Sequence, residues 1–432
     1  MAEMEKFTQN SDETERIYHE NTNCCTKIFR TEKGGTEMRF QLFFLIGALA
    51  GVSLHADIPL DLGSAKQWMP YRSASVVDVP GASGTLIFQL PTFAARTWRF
   101  SYPEAEKFNR TKGIAFQVRG DGAETYLSVK LLTLSFSFHY YATVPVKGTE
   151  WQSVTIAWED FINLSNRTDL VLGKSDAMPL SGIMGISFGD RWSIGYANEP
   201  LKQAKYVIRD LRLVDDAVAS YVPLKKTPPP LATVIQKMKQ GKKVLIYCHG
   251  DSITAGTGVK EARYANLLGE SLRKFFKNPN IEVKTIAIGG ALSSDLRLWA
   301  HRDFSGGPKV DLVTISIGAN DFNNDKTPVW FKHSVGEWID RVVTYTNGET
   351  AFLLIPTLPG QAWYKNGMND FAEAMRALAA ERGLDSCDVA RRFYRIPDAE
   401  LKDYFNDTLH PNRKGHQLIS EELMKYIREQ SQ

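Results

Sequence analysis

The second half of the chain alternates apolar runs with amphipathic segments. Continuous apolar runs are typical of strands buried on both faces of a parallel sheet, and they predict strands at 244–248, 283–288, 312–317, 352–355 and 384–389. The segments between them predict helices at 264–276, 335–345, 370–381 and about 415–428. Strands that alternate with helices favour a sheet with helices on both faces. The pattern therefore predicts a three-layer α/β/α domain with a parallel sheet at 243–432.

The first half of the chain has a different pattern of hydrophobic and polar residues. Between 57 and 216, short runs of alternating aromatic and polar residues are separated by Gly, Pro, Asn and Asp, as in 113–118 and 151–157. Such runs, about ten residues apart, are typical of an antiparallel β-sandwich. A stretch with three consecutive prolines and a short helix-like segment then predicts a linker at 217–242.

The first 56 residues belong to neither pattern. Residues 38–56 have a short basic start, an apolar stretch too short to span a bilayer comfortably, and a small-residue ending, which together indicate a secretory signal peptide. An uncleaved membrane anchor is the alternative. Residues 1–37 are polar and unpatterned, so we interpret them as a disordered leader or a start assigned too early. We expect a secreted or periplasmic protein with no membrane span in the mature chain.

Composition narrows the classes of partner and site. The 432 residues are 43% hydrophobic and 23% charged, which suits a globular protein of two or three domains. The formal net charge of +3 is scattered, and we expect no nucleic-acid partner. Cys248 and Cys387 fall on predicted strands and are expected to be free, buried and inert. Neither belongs to a CxxC pair and the histidines lack ligand spacing, so we expect no metal and no cofactor.

Polar and glycine residues follow the first three predicted strands of the α/β domain. Ser252 follows the first strand, Gly289 and Gly290 the second, and Asn320 the third. Open α/β sheets bind ligands at the carboxyl ends of their strands. A serine ahead of a helix is also a common N-cap, so Ser252 alone leaves a structural role open.

A late loop supplies the groups that a nucleophilic serine needs. Asp407 and His410 are three residues apart, so the carboxylate can hold one imidazole nitrogen while the other faces Ser252. A serine hydroxyl requires such a base at neutral pH. N–H donors are also required where an oxyanion forms, and glycine and asparagine at neighbouring strand ends can supply them.

Taken together, these motifs resemble the SGNH, or GDSL-type, esterase family, whose four sequence blocks occur here in order. The blocks are Gly250-Asp251-Ser252, Gly290, Gly318-Ala319-Asn320-Asp321 and Asp407-Thr408-Leu409-His410. The resemblance implies a flavodoxin-like fold, with Ser252 as the nucleophile, His410 as the general base and then acid, and Asp407 as the residue that orients the histidine. It also implies an oxyanion hole formed by the N–H groups of Ser252 and Gly290 and the side chain of Asn320.

The second block departs from the family pattern. Thr285 and Leu292 stand where Asn and Ser or Thr are frequent, so either Gly289 or Gly290 could point inward, and we favour Gly290. Trp363 and Tyr364 lie in a predicted loop and are candidates for a lip over the acyl group. Structural roles are expected for the remaining polar residues near the blocks: Asp251, Asp321, His249, His301 and His416.

The front domain resembles the jelly-roll, galactose-binding-like modules attached to carbohydrate-active enzymes. Sugar binding and a purely structural or gating role both remain open for it. We therefore predict a secreted serine esterase that removes short acyl groups, O-acetyl above all, from a carbohydrate. The alternatives are a lipase or thioesterase for longer acyl chains and a non-catalytic polysaccharide-binding protein. The oligomeric state is not predicted.

Overall fold

The computed structural model describes residues 57–71, 73–91, 95–100, 106–123, 125–133, 139–163, 182–189 and 204–432. The predicted leader and signal peptide lie outside the described residues. The front domain contains the short helix α1 (Glu106–Asn109) and the following strands: β1 (Ile58–Pro59), β2 (Met69–Tyr71), β3 (Ser75–Asp78), β4 (Leu86–Leu90), β5 (Arg96–Phe100), β6 (Gly113–Arg119), β7 (Thr125–Thr133), β8 (His139–Val146), β9 (Gln152–Ala157), β10 (Ile162–Asn163), β11 (Ile183–Phe188) and β12 (Ala204–Val214).

These strands form two antiparallel sheets that share one core. One sheet has the order β3-β4-β12-β6-β9 with β1 paired to β12, and the other has the order β10-β8-β7-β11-β5-β2. Phe88 and Phe116 of the first sheet contact Phe188 of the second, with ring centroids 5.1 and 5.7 Å apart. Trp68 stacks on Phe188 in the same core and donates its indole N–H to the carbonyl of Leu62. The all-β prediction is confirmed, and the arrangement is consistent with a jelly roll.

The second half contains a sheet of five parallel strands: β13 (Val244–Gly250), β14 (Ile281–Ala287), β15 (Leu312–Ser316), β16 (Ala351–Leu354) and β17 (Asp385–Ser386). Their order is β14-β13-β15-β16-β17, which is the flavodoxin-like order 2-1-3-4-5. The helices are α2 (Leu231–Lys239), α3 (Ser252–Ala255), α4 (Tyr264–Phe276), α5 (Ser293–Phe304), α6 (Ala319–Asn323), α7 (Pro328–Tyr345), α8 (Trp363–Arg382), α9 (Val389–Tyr394), α10 (Asp398–Leu401) and α11 (Arg413–Glu429).

Alternate residues of the central strand β13 pack into cores on opposite faces of the sheet. Ile246 and Cys248 join the core formed with α2, α4 and α11, whereas Leu245 and Tyr247 join the core formed with α5, α7 and α8. This alternation follows from the two-residue period of a strand. The predicted three-layer α/β/α fold is therefore confirmed.

Some details differ from the sequence predictions. The last strand is the short β17 rather than a strand over 384–389, and helix α5 was not predicted. Helix α2 lies inside the predicted linker, yet its apolar residues belong to the core of the α/β domain. The backbone N–H of Leu231 donates to the carboxylate of Asp385 at 2.9 Å, which ties the start of α2 to β17.

The sandwich packs on helix α5 within one compact unit, His55–Gln432. Tyr141 and Ile162 of the sandwich share the core that contains α5. The buried guanidinium of Arg297 donates to the carbonyl of Asn163 at 2.9 Å and also pairs with Glu337 on α7. Because α5 begins three residues after Gly290, the front domain contacts the element that follows the second sequence block.

Cys248 and Cys387 are free and buried, as expected. Burial raises the pKa of each thiol to about 12, so both stay protonated and unreactive at neutral pH. Among the helices of the described residues, none has the length and apolar character needed to cross a membrane.

Candidate active site

Ser252 lies at the carboxyl end of the central strand. Strand β13 ends at Gly250, Asp251 caps helix α3 by accepting the N–H of Ile253 at 2.9 Å, and Ser252 is the first residue of that helix. A Cβ at position 250 would lie 2.2 Å from the carbonyl oxygen of Ser316 on β15, so only glycine lets the neighbouring strand approach this closely. The serine is 7% exposed at this edge of the sheet.

The loop before α11 brings an imidazole to this serine. The Nε2 atom of His410 lies 2.9 Å from the Oγ of Ser252, and its Nδ1 atom lies 2.7 Å from Oδ2 of Asp407. An ionised carboxylate accepts the Nδ1–H, so Nε2 is left as the acceptor for the serine hydroxyl. The structure thus places the three predicted residues in one hydrogen-bonded chain.

Asp407 also shapes the loop that carries the histidine. Its Oδ1 accepts the N–H groups of Leu409 and His410, each at 2.7 Å. Partial burial would raise the pKa of this carboxyl, but the hydrogen bonds from these N–H groups and from the imidazole outweigh burial and lower it. The carboxylate is therefore ionised at neutral pH and can stabilise an imidazolium.

The predicted oxyanion donors lie at the ends of the neighbouring strands. Gly290 has a φ of +80°, it is exposed, and a Cβ built on it would meet nothing within 4 Å, whereas Gly289 is half-buried. Asn320, in the short helix α6 after β15, donates its side-chain amide to the carbonyl of Ala291 at 3.0 Å. The amide of Asn320 therefore lies beside the glycine turn, and its NH₂ group carries two donors.

Two buried carboxylates fix the turns around these groups. Asp251 caps α3, and Asp321 accepts both the backbone N–H and the hydroxyl of Ser293 at the start of α5, with the hydroxyl at 2.6 Å. Burial raises the pKa of Asp251 to about 7 and that of Asp321 to about 6. The hydrogen bonds agree with the expected role of both residues as anchors of backbone turns.

His416 and His249 occupy structural positions, as expected. His416 is buried, accepts the N–H of Tyr264 on Nδ1 and stacks on the ring of that tyrosine. His249 is fully buried between Phe304 and Trp338. Burial lowers the pKa of His416 to about 4 and that of His249 to about 3, so both are neutral at pH 7.

Trp363 and Tyr364 lie in the first turn of α8 rather than in a loop. Trp363 is 58% exposed and packs on Phe322, with ring centroids 4.8 Å apart. The segment just before α8 contacts the histidine loop, because Gln361 donates its side-chain amide to the carbonyl of Asp407 at 2.8 Å. Phe322 was not predicted from the sequence, although its position two residues after Asn320 could have indicated it.

Among the residues that the structure describes, no three His, Cys, Asp or Glu side chains are grouped as metal ligands. The arrangement that is present consists of a serine, an imidazole and a carboxylate at the carboxyl edge of a parallel sheet. This arrangement defines the class of α/β serine hydrolases, in which the hydroxyl attacks an acyl group and the imidazole transfers the proton.

Comparison with known families agrees with this class. Residues 248–418 match the model of the GDSL-like Lipase/Acylhydrolase family. The α/β domain of this chain therefore belongs to that family of acylhydrolases. No curated protein matches the sequence.

Solved structures similar to this chain include three hydrolases. LAE5, an α/β hydrolase from the metagenome of Lake Arreo, is 20% identical over 44% of this chain and 97% of its own, with a TM-score of 0.36. The acetylxylan esterase Axe2 from Geobacillus stearothermophilus is 17% identical over 43% of this chain and 94% of its own, with a TM-score of 0.36. A lipase/acylhydrolase from Enterococcus faecalis is 18% identical over 43% of this chain and 96% of its own, with a TM-score of 0.36.

Proposed function

We propose that this protein is a serine esterase that removes short acyl groups, chiefly O-acetyl, from a carbohydrate. The observation that carries the proposal is the hydrogen-bonded chain from Ser252 through His410 to Asp407, with distances of 2.9 and 2.7 Å. The serine, the Gly290 turn and Asn320 follow three adjacent strands, so an ester carbonyl bound at Ser252 would lie near N–H donors.

The proposed reaction has two halves. His410 accepts the proton of the Ser252 hydroxyl on Nε2 while Oγ bonds to the acyl carbon, and the resulting oxyanion is held by the N–H groups of Ser252 and Gly290 and the amide of Asn320. The imidazolium then gives its proton to the leaving sugar oxygen as the ester bond breaks. In the second half, His410 takes a proton from water as the water oxygen bonds to the acyl carbon. The imidazolium then returns this proton to Oγ of Ser252 as the acyl–Oγ bond breaks, which releases the carboxylic acid and the free serine.

The carbohydrate part of the proposal is supported by architecture. The sandwich in front of the hydrolase domain resembles modules that accompany carbohydrate-active enzymes, and the signal-like segment at 38–56 supports a secreted or periplasmic protein. Sugar polymers outside the cytoplasm are substrates that such a protein would meet.

One feature favours a different acyl chain. The exposed ring of Trp363 and the adjoining Phe322 form an apolar surface near Asn320, and such a surface could hold an acyl group longer than acetyl. A lipase or thioesterase activity is therefore the second candidate. Rates with p-nitrophenyl acetate and p-nitrophenyl octanoate distinguish the two, because a short-chain esterase has the higher kcat/KM on acetate.

The test is release of acetate from a panel of acetylated xylan, mannan and pectin, with Ser252→Ala as the control. The proposal predicts release by the wild type from at least one polymer and at least about 10⁴-fold slower release by Ser252→Ala. Equal, slow release by both proteins would favour a non-catalytic polysaccharide-binding protein. Preference for octanoate without release from any polymer would favour the lipase.

A further inference from the structure

A second cleft lies where the sandwich meets helices α5 and α7. Its volume is about 360 Å³, and its walls come from β8 and β9, from the two helices and from the segment after β12. The cleft contains none of the residues of the Ser252 site. Its size falls within the range of small-ligand pockets, which frequently lie between domains.

His301 lines this cleft. Its Nδ1 is buried without a hydrogen-bond partner in the described part of the chain, and its ring meets Tyr345 edge-on at 5.4 Å. Burial lowers the pKa of His301, so the ring is neutral at pH 7 and can both donate and accept a hydrogen bond. Buried polar groups are normally paired, so an unpaired ring beside a cleft needs an explanation.

Two arginines line the cleft, Arg341 and Arg297, and the guanidinium of Arg297 already bonds Asn163 and Glu337. The guanidinium of Arg341 stacks on Tyr221, with Cζ 4.2 Å from the ring centroid, and hydrogen-bonds the side chain of Tyr345. Asp160, which also lines the cleft, already accepts the backbone N–H groups of Ser220 and Tyr221 at 2.9 to 3.1 Å. Because a guanidinium carries five N–H donors, Arg341 can bond Tyr345 and still donate to a ligand.

The sandwich wall adds neutral polar groups. Gln152, Ser153 and Thr155 lie on β9, the edge strand of its sheet, and Ser153 and Thr155 are exposed. The cleft thus combines hydroxyl and amide groups with a neutral imidazole, a guanidinium and the ring of Tyr345. Such a set of groups can bind a sugar, because sugar hydroxyls both donate and accept while sugar C–H faces pack on aromatic rings.

We propose that this cleft binds one sugar unit of a carbohydrate chain, at a site separate from the one that cleaves the ester. The choice of a sugar rests on the proposed function, whereas the cleft and the unpaired Nδ1 of His301, which indicate a ligand, do not. The site would hold the polymer through an unmodified sugar while an acylated sugar reaches Ser252. It would bind chains that carry no acyl group at all.

Isothermal titration calorimetry on the Ser252→Ala chain tests this binding without turnover. The probes are unacetylated hexasaccharides of β-1,4-xylose, β-1,4-glucose, β-1,4-mannose and α-1,4-galacturonic acid. Ser153→Trp fills the cleft from an exposed position, and Arg341→Gln removes the charge of Arg341. Ser83→Trp is the matched control, because Ser83 is exposed in the turn between β3 and β4 at the other edge of the same sheet.

The expected result is that at least one hexasaccharide binds, and that Ser153→Trp and Arg341→Gln each weaken its Kd at least tenfold while Ser83→Trp leaves it within twofold. Thermal unfolding within about 2 °C of the parent shows that a variant is folded. Binding by none of the four probes, or equal binding by Ser153→Trp and Ser83→Trp, would overturn the proposal. Because no ester is cleaved in this assay, its outcome does not depend on esterase activity.

Discussion

Replacing Asp407 by Asn removes one negative charge from the site and leaves its backbone contacts available. The Oδ1 position of Asp407 accepts the N–H groups of Leu409 and His410, and the carbonyl oxygen of Asn can accept them as well. The side chain of Asp407 is 54% exposed, so solvent screens its attraction for an imidazolium. For charges about 4 Å apart, that attraction is about 1 kcal/mol in water and about 4 kcal/mol at an effective dielectric of ~20.

A value between these limits, about 2 to 3 kcal/mol, corresponds to a loss of about 30- to 160-fold in kcat/KM. The amide of Asn would also donate toward Nδ1 of His410 and favour the wrong tautomer, which places the loss at the upper end or beyond. We therefore predict a loss of at least about 100-fold with p-nitrophenyl acetate, with the unfolding midpoint unchanged within about 2 °C. A folded variant with more than a fifth of the wild-type kcat/KM would refute the role of Asp407.

Three further predictions concern the oxyanion donors, the strand end and a buried histidine. Asn320→Ala should lower kcat by about 10²- to 10³-fold with little change in KM, as measured by steady-state kinetics, whereas a change in KM alone would contradict an oxyanion role. Gly250→Ala should lower the free energy of unfolding by at least about 2 kcal/mol in urea titrations, because its Cβ would meet the carbonyl of Ser316. The control Gly307→Ala, whose Cβ has its nearest contact at 3.8 Å, should change this free energy by less than about 1 kcal/mol. The pKa of His416 is about 4 in the folded state and about 6.5 when unfolded, so its contribution to stability is present above pH 6.5 and is lost as the pH falls toward 4. The free energy of unfolding of His416→Gln should therefore fall less over that interval than that of the wild type, and parallel pH profiles of the two proteins would contradict this.

The α/β fold was predictable because each strand of its sheet has a clear sequence pattern. Strands buried on both faces read as continuous apolar runs, and polar or glycine residues mark where they end, as Ser252 does after β13. The parallel topology then brings those ends to one edge. The convergence of Ser252 and His410, 158 residues apart, follows from the topology, but its distance of 2.9 Å is visible only in the structure.

Helix α5 was missed because its surroundings remove the usual amphipathic pattern. It packs on the sheet on one side and on Tyr141 and Ile162 of the sandwich on the other, and most of its residues are buried. Its buried polar residues, such as Asp295 and Arg297, break the apolar periodicity that predicts a helix. The cleft beside His301 was not predictable from the sequence either, because it exists only where two domains meet.

Covalent labelling tests the central claim most directly, namely that Ser252 is a nucleophile activated by His410. The protein is treated with a fluorophosphonate at neutral pH and the modified peptide is identified by mass spectrometry. The account predicts one phosphonate adduct on Ser252, which forms at least about 100-fold more slowly in His410→Ala. No adduct on the folded wild type, or an adduct on a residue other than Ser252, would contradict it.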